Sequence, residues 1–354
     1  MNSTRFFLLP LSFFYGFIVW LRNKLFDWGI FSSYLPPVPS IGIGNLSIGG
    51  TGKSPIAALI AAHFARKTKV IFISRGYGRK TRGFRLANED DTAETIGDEP
   101  CQIKKSVPEI EVIVDANRVR AVIRALSEFP QTGLIIFDDI YQHRRVKPGI
   151  NILLTEYSRP FFKDYLLPVG HLREFKSGKS RADIIIMTKS PPIFSPIERR
   201  HITQRLSPEE NQKVFFSFLK YTLLIPYGGN DTSGFPFSQA MDKNTKVVAF
   251  CGIANPEPFE NFIRENSSEY QLITFRDHHF FSNPEIQEII ARFNSTKSSR
   301  KIILTTEKDL IRIKGNPALD IPEQLPFFAI RIQPEFHTPD NEIFLKTLDD
   351  FIRK

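Results

Sequence analysis

GNLSIGGTGKSP, residues 44–55, lies between two apolar runs, residues 38–44 and 56–64. The first run suits a β-strand and the second a helix, so the stretch reads as a glycine-rich turn from strand to helix. Such a turn presents successive backbone N–H groups at the positive end of a helix. Together with the Lys53 ammonium and the Ser54 hydroxyl they suit a triphosphate and its Mg²⁺. Gly49, Gly50, Thr51, Gly52, Lys53 and Ser54 are therefore the candidate nucleotide-binding residues. Ser47 stands where a P-loop ordinarily carries its first glycine, but the Gly-Lys-Ser ending is intact.

Downstream, residues 133–137 form an apolar β-type run that ends in Asp138-Asp139. A carboxylate at a strand tip beside a P-loop suits Mg²⁺, so Ser54, Asp138 and Asp139 are the candidate metal ligands. Residues 69–73, 110–114, 151–155 and 182–188 are further β-type runs, alternating with helical segments. This pattern predicts a mostly parallel sheet covered on both faces. Residues 74–85 carry Arg75, Arg79, Lys80, Arg82 and Arg85 between glycines, which suits phosphate capture or a solvated basic loop.

A second α/β pattern starts at residue 246, with β-type runs near 246–251, 272–275, 301–304 and 327–332 and a final amphipathic helix near 341–352. The fold class expected is α/β, a P-loop NTPase-like αβα sandwich with a smaller C-terminal αβα domain. The divisions expected are an N-terminal helix over 1–30, a nucleotide-binding domain over 31–213, an inter-domain connection over 214–245 and the smaller domain over 246–354.

Residues 6–21 form the most hydrophobic stretch, yet it is shorter than the ~20 residues that a spanning helix needs, and Pro10 and Gly16 interrupt it. Leu11, Phe14, Ile18, Leu21, Leu25 and Trp28 recur at helical spacing, with Arg22 and Lys24 alongside. This reads as an interfacial helix on a membrane surface; packing against its own domain, or a single-pass anchor, are the other readings.

The 354 residues carry a net charge of +9, which suits a partner with phosphate groups. No nucleic-acid recognition module accompanies that charge. Two cysteines, Cys101 and Cys251, are too few for a disulfide framework or a zinc cluster and suit a reducing compartment. Asp98, Glu99, His278 and His279 are the candidates for proton handling, because a kinase has to orient and deprotonate an acceptor hydroxyl.

In combination, GNLSIGGTGKSP at 44–55, SRGYG at 74–78, GDEP at 97–100, DDIYQH at 138–143, LLPVGHLRE at 166–174, CGIANP at 251–256, DHH at 277–279 and TEKD at 306–309 resemble the tetraacyldisaccharide 4'-kinase family. Ile140, Tyr141 and His171 depart from that family's usual residues without removing a group the chemistry needs.

The resemblance implies an ATP- and Mg²⁺-dependent kinase of lipid A biosynthesis. Its acceptor would be the 4'-hydroxyl of a tetraacyldisaccharide 1-phosphate, and it would work as a monomer at the cytoplasmic face of the inner membrane. By the same resemblance Lys53 and Asp98, with His278 or His279, are catalytic; Arg75, Glu99, Arg118, His143, Arg173 and Glu174 contact substrate. Closure of the smaller domain on the first would then bring a histidine to the phosphate. A kinase of a soluble metabolite and a nucleotide-switched binding or metal-delivery protein are the alternatives.

Overall fold

The structure, a computed structural model, describes residues 7–229, 234–277 and 279–353. Its centre is β1 (Ser40–Asn45), every residue of which is buried. Ile41 and Ile43 alternate with Gly42 and Gly44, so the apolar side chains face one layer while the glycines admit a close neighbour on the other. A Cβ on Gly44 would lie 2.6–2.9 Å from Tyr141, so the turn after the neighbouring strand rests directly on β1.

That neighbour is β5 (Thr132–Phe137), parallel to β1; on the other side runs β6 (Ile150–Glu156), also parallel. Outward from β5 lie β2 (Lys69–Ser74), β4 (Glu111–Val114) and the short antiparallel β3 (Arg85–Leu86). Outward from β6 lie β7 (Ile184–Thr188) and β8 (Lys213–Pro226). Runs of Ile, Val and Leu form these strands because both faces are covered: α2 (Lys53–Ala65) packs on one and α5 (Arg118–Glu128) on the other. Asn117 caps α5 by accepting from the Arg120 N–H at 3.1 Å.

In the C-terminal half, β10 (Lys246–Cys251), β11 (Tyr270–Thr274), β12 (Lys301–Thr306) and β13 (Phe327–Phe336) line up in the order β11-β10-β12-β13. Helices α7 (Glu257–Asn266), α8 (Asn283–Ser295) and α9 (Glu307–Lys314) cover them. The chain is thus α/β with a mostly parallel sheet and a smaller C-terminal αβα region, as expected.

Two placements show how the halves are joined. Within the segment 214–245, expected to connect them, residues 214–226 belong to the long strand β8. β8 pairs in parallel with β7 through Lys213–Phe216 and antiparallel with β13 through Ser217–Pro226, so one sheet runs through both halves. The final helix, α10 (Asp340–Ile352), leaves its own half and buries Phe344 and Leu348 in the core beneath α2. Its Asp349 accepts from Lys67, just past the end of α2, at 2.6 Å.

Candidate active site

Three strand ends and one helix start converge beyond the C-terminal edge of the first half's sheet. From β1 the glycine-rich loop turns into α2, with Gly49 and Gly52 at φ +108° and +84°, backbone states that side chains avoid. Asn45 donates to the Thr51 hydroxyl at 2.8 Å and fixes the loop to its strand. Lys53 and Ser54, in the first turn of α2, are both buried.

Opposite them β5 ends in Asp138 and Asp139. Asp138 accepts from the Ser74 hydroxyl at 3.0 Å through Oδ2, while its Oδ1 is buried with no hydrogen-bond partner. Burial, reinforced by Glu99 and opposed by Lys53, raises its pKa to about 7. Asp139, at φ +45°, lies 3.6 Å from the Lys53 ammonium and accepts from Arg173 at 2.9 Å. Burial pushes its carboxyl up, but Lys53 and Arg173 together bring it below the usual range.

An enclosed carboxylate oxygen without a donor, beside a serine hydroxyl at a helix start, fits a hard cation that takes oxygen ligands. Among the described residues no group of three or more His, Cys, Asp or Glu could hold a metal ion. Such a cation would therefore draw its remaining ligands from water and phosphate.

A cationic wall completes this side. The buried Arg118 donates to Asp115 O at 2.7 Å and reaches Asp138 O at 3.4 Å; its burial lowers it to about 10 against the pull of Asp138 and Asp139. His143 is lowered to about 4 by burial and by Arg118, Arg145, Arg75 and Arg22. Arg75 itself is exposed at the end of β2.

Glu174 differs from its expected role as a substrate contact. It is fully enclosed, paired with Arg181 at 2.8 Å and accepting from Gln142 at 3.0 Å and Asn23 at 2.9 Å. Its carboxylate ties α1 (Leu9–Asp27) to the loop that carries Arg173. Tyr15 of α1 also donates to Arg173 O at 2.7 Å.

Asp98 opens α4 (Asp98–Ser106) and accepts from Arg312 of α9 at 2.6 and 3.1 Å. The same guanidinium reaches Asp309 at 2.9 Å and Gly252 O at 3.1 Å. Next to Asp98, Glu99 lies 3.9 Å from Lys308. His279 is held by Glu285 at 3.1 Å, stacks on Phe275 and packs its Cβ against Gly252. Thus Arg312 and His279 meet at one glycine, while His278 lies outside the described residues.

The sequence motifs point from Asp98 to a histidine of DHH and give no direct sign of Arg312. Only its position three residues after Asp309 in one helix could have signalled it. Of the three family departures, Ile140 is buried, Tyr141 donates to Gly178 O at 2.7 Å and His171 lies 3.2 Å from Asp164, so each is absorbed by local packing.

The family profile described as "Tetraacyldisaccharide-1-P 4'-kinase" matches residues 4–353. The tetraacyldisaccharide 4'-kinase of Phocaeicola vulgatus is 37% identical over 98% of this chain and 95% of its own length. That of Bacteroides thetaiotaomicron is 39% identical over 98% and 93%. In three dimensions the chain is similar to LpxK from Aquifex aeolicus, solved in complex with ATP, with a TM-score of 0.75, 28% identity and 99% of each chain covered. Matched along nearly its whole length in sequence and in fold, this chain belongs to the tetraacyldisaccharide 4'-kinase family.

Proposed function

We propose that this chain is an ATP-dependent tetraacyldisaccharide 4'-kinase of lipid A biosynthesis, with a P-loop NTPase-type nucleotide site at residues 47–54. The observation that carries the site is the pairing of Lys53 with Asp139 beside the unsatisfied oxygen of Asp138, at the mouth of a glycine-rich turn. Asp139 lies between Lys53 and Arg173, within reach of both cations. The γ-phosphate of ATP competes with Asp139 for both cations.

Ser54 and Asp138 would hold Mg²⁺, which neutralises charge on the transferring phosphoryl group when bound. Loop N–H groups and Lys53 bind the β- and γ-phosphates, and Arg173 and Arg118 add fixed positive charge. The acceptor 4'-oxygen forms a bond to the γ-phosphorus as the bond from that phosphorus to the β-bridging oxygen breaks, and ADP leaves. The hydroxyl proton passes to the Asp98 carboxylate, which Arg312 orients from the smaller half. The arginines around His143 suit the anionic group of the acceptor.

The acceptor's acyl chains require a lipid surface, and α1 supplies one face for it. Ser12, Gly16 and Val19 turn inward, while Phe13, Phe14, Phe17, Ile18 and Trp20 are exposed. No helix among the described residues is long and apolar enough to cross a membrane. We read α1 as lying in the interface of the inner membrane's cytoplasmic leaflet, with the part-exposed Lys24 side chain toward its anionic headgroups.

The test is an assay of the full chain with labelled ATP and a tetraacyldisaccharide 1-phosphate acceptor in mixed micelles. Label in the lipid is expected, with Lys53→Ala and Asp98→Ala each lowering kcat by about 100-fold or more. ATP consumption without labelled lipid would overturn the function. Full activity of Asp98→Ala would overturn its role as the base.

A further inference from the structure

The end of β7 grips the glycine-rich loop from outside, at two residues for which the nucleotide reading has no use. The Thr188 hydroxyl lies 2.8 Å from Thr51 O and 3.3 Å from Thr155 O. It has one proton to give, and the shorter distance assigns it to Thr51. The Lys189 ammonium donates to Gly50 O at 2.7 Å and lies 3.3 Å from the Glu156 carboxylate at the end of β6. Two consecutive loop carbonyls are thereby drawn toward β7.

A trans peptide points its carbonyl and its N–H to opposite sides. Drawing Gly50 O outward turns the Thr51 N–H inward, where it closes on Gly49 O at 3.0 Å. Drawing Thr51 O outward turns the Gly52 N–H, at the start of α2, away from β7. If the Gly50–Thr51 peptide flipped, the closure on Gly49 O that shapes the turn would be lost. If the Thr51–Gly52 peptide flipped, a carbonyl dipole would replace the Gly52 N–H on the side that a polyphosphate approaches, and that interaction would change sign.

Lys189 itself sits at φ +55°, a backbone state that glycine enters more readily. The local backbone therefore gives no reason for a lysine there. Its ammonium does.

We propose that Thr188 and Lys189 are positioning residues that set the peptide orientation of the glycine-rich loop and, through it, the affinity for a polyphosphate. This rests on the reading of that loop as the nucleotide site. The test is calorimetric binding of MgATP, and separately of Mg²⁺ with inorganic tripolyphosphate, to the full chain. It compares wild type with Lys189→Gly, Thr188→Val, Thr188→Ser and Lys53→Ala.

Lys189→Gly relaxes the backbone while deleting the ammonium, so its melting temperature should hold or rise. Both Lys189→Gly and Thr188→Val should weaken both ligands by about ten-fold or more, and Thr188→Ser should bind as wild type. Weakened ATP with unchanged tripolyphosphate would place Lys189 at the base or ribose and overturn the proposal. Weakening by Lys189→Gly but not by Thr188→Val would reduce it to loss of one charge, which also overturns it. If Lys53→Ala bound both ligands normally, the reading of the loop would itself fail. If Lys53→Ala lost binding while the β7 variants kept it, only the positioning role would fall.

Discussion

His143 shows how the cationic wall governs a single residue. Burial and four arginines lower its pKa from 6.5 to about 4, so in the folded protein it is neutral where the unfolded chain would protonate it. The unfolded state then binds more protons between about pH 4 and 6.5, so stability from this group is present above pH 6.5 and is lost as pH falls toward 4. Replacing it by His143→Gln should flatten that part of the melting-temperature profile; an unchanged slope would refute the assignment. The histidine was legible in the sequence as a member of DDIYQH. The arginines that depress it come from residues 22, 75, 118 and 145, and no local pattern groups them.

At the scale of elements, α9 and α1 each carry a side chain into the site of the other half or of the body. Helix α9 delivers Arg312 to Asp98, a contact spanning 214 residues of sequence. Because Arg312 is nearly fully buried between Asp98 and Asp309, Arg312→Gln removes the positive charge that both carboxylates face. It should destabilise the protein by about 3 kcal/mol or more. At temperatures where the variant is folded, kcat should fall while the KM for ATP stays within two-fold of wild type, about the resolution of the assay. A change in KM alone would argue against the positioning of Asp98. Arg312→Lys should restore part of the activity.

The spacing of Leu11, Phe14, Ile18, Leu21, Leu25 and Trp28 marks α1 as amphipathic. The structure explains which face goes where: Gly16 lets the helix approach Leu166 and Phe175, so the small residues face inward and the aromatic ones outward. Phe13→Asp with Phe17→Asp should lower binding to anionic vesicles by about 100-fold or more, since each buried phenylalanine contributes roughly 1.5–3 kcal/mol. Cosedimentation measures it, and undiminished binding would remove α1 as the membrane contact. An unaltered circular dichroism spectrum would show that the fold is intact.

At the scale of the whole molecule, the sheet is shared and the cores are crossed. β8 gives one edge to each half, and α10 returns to bury Leu348 beneath α2. Leu348→Ala, at the far end of the chain, should therefore cost about 2–5 kcal/mol and lower the melting of the nucleotide-binding half itself. Two independent transitions, with only the C-terminal one shifted, would contradict this. Any closure of the smaller half has to flex β8 and β13, where the register already shifts between Ile330 and Ile332.

The sequence by itself determined the strands, the glycine-rich turn into α2, the paired aspartates after β5 and the amphipathic first helix. Each is written in neighbouring residues: β-branched runs for strands buried on both faces, glycines where φ must be positive, apolar spacing near 3.6 for a helix. What only the tertiary structure decided are the contacts between distant segments. These are Arg312 on Asp98, Lys189 on Gly50 across 139 residues, the enclosure of Glu174, and the double pairing of β8. Such contacts follow from which strand edges and charges come within a few ångströms once the sheet has formed. A hydrogen bond or an ion pair depends on that separation, whatever the distance along the chain.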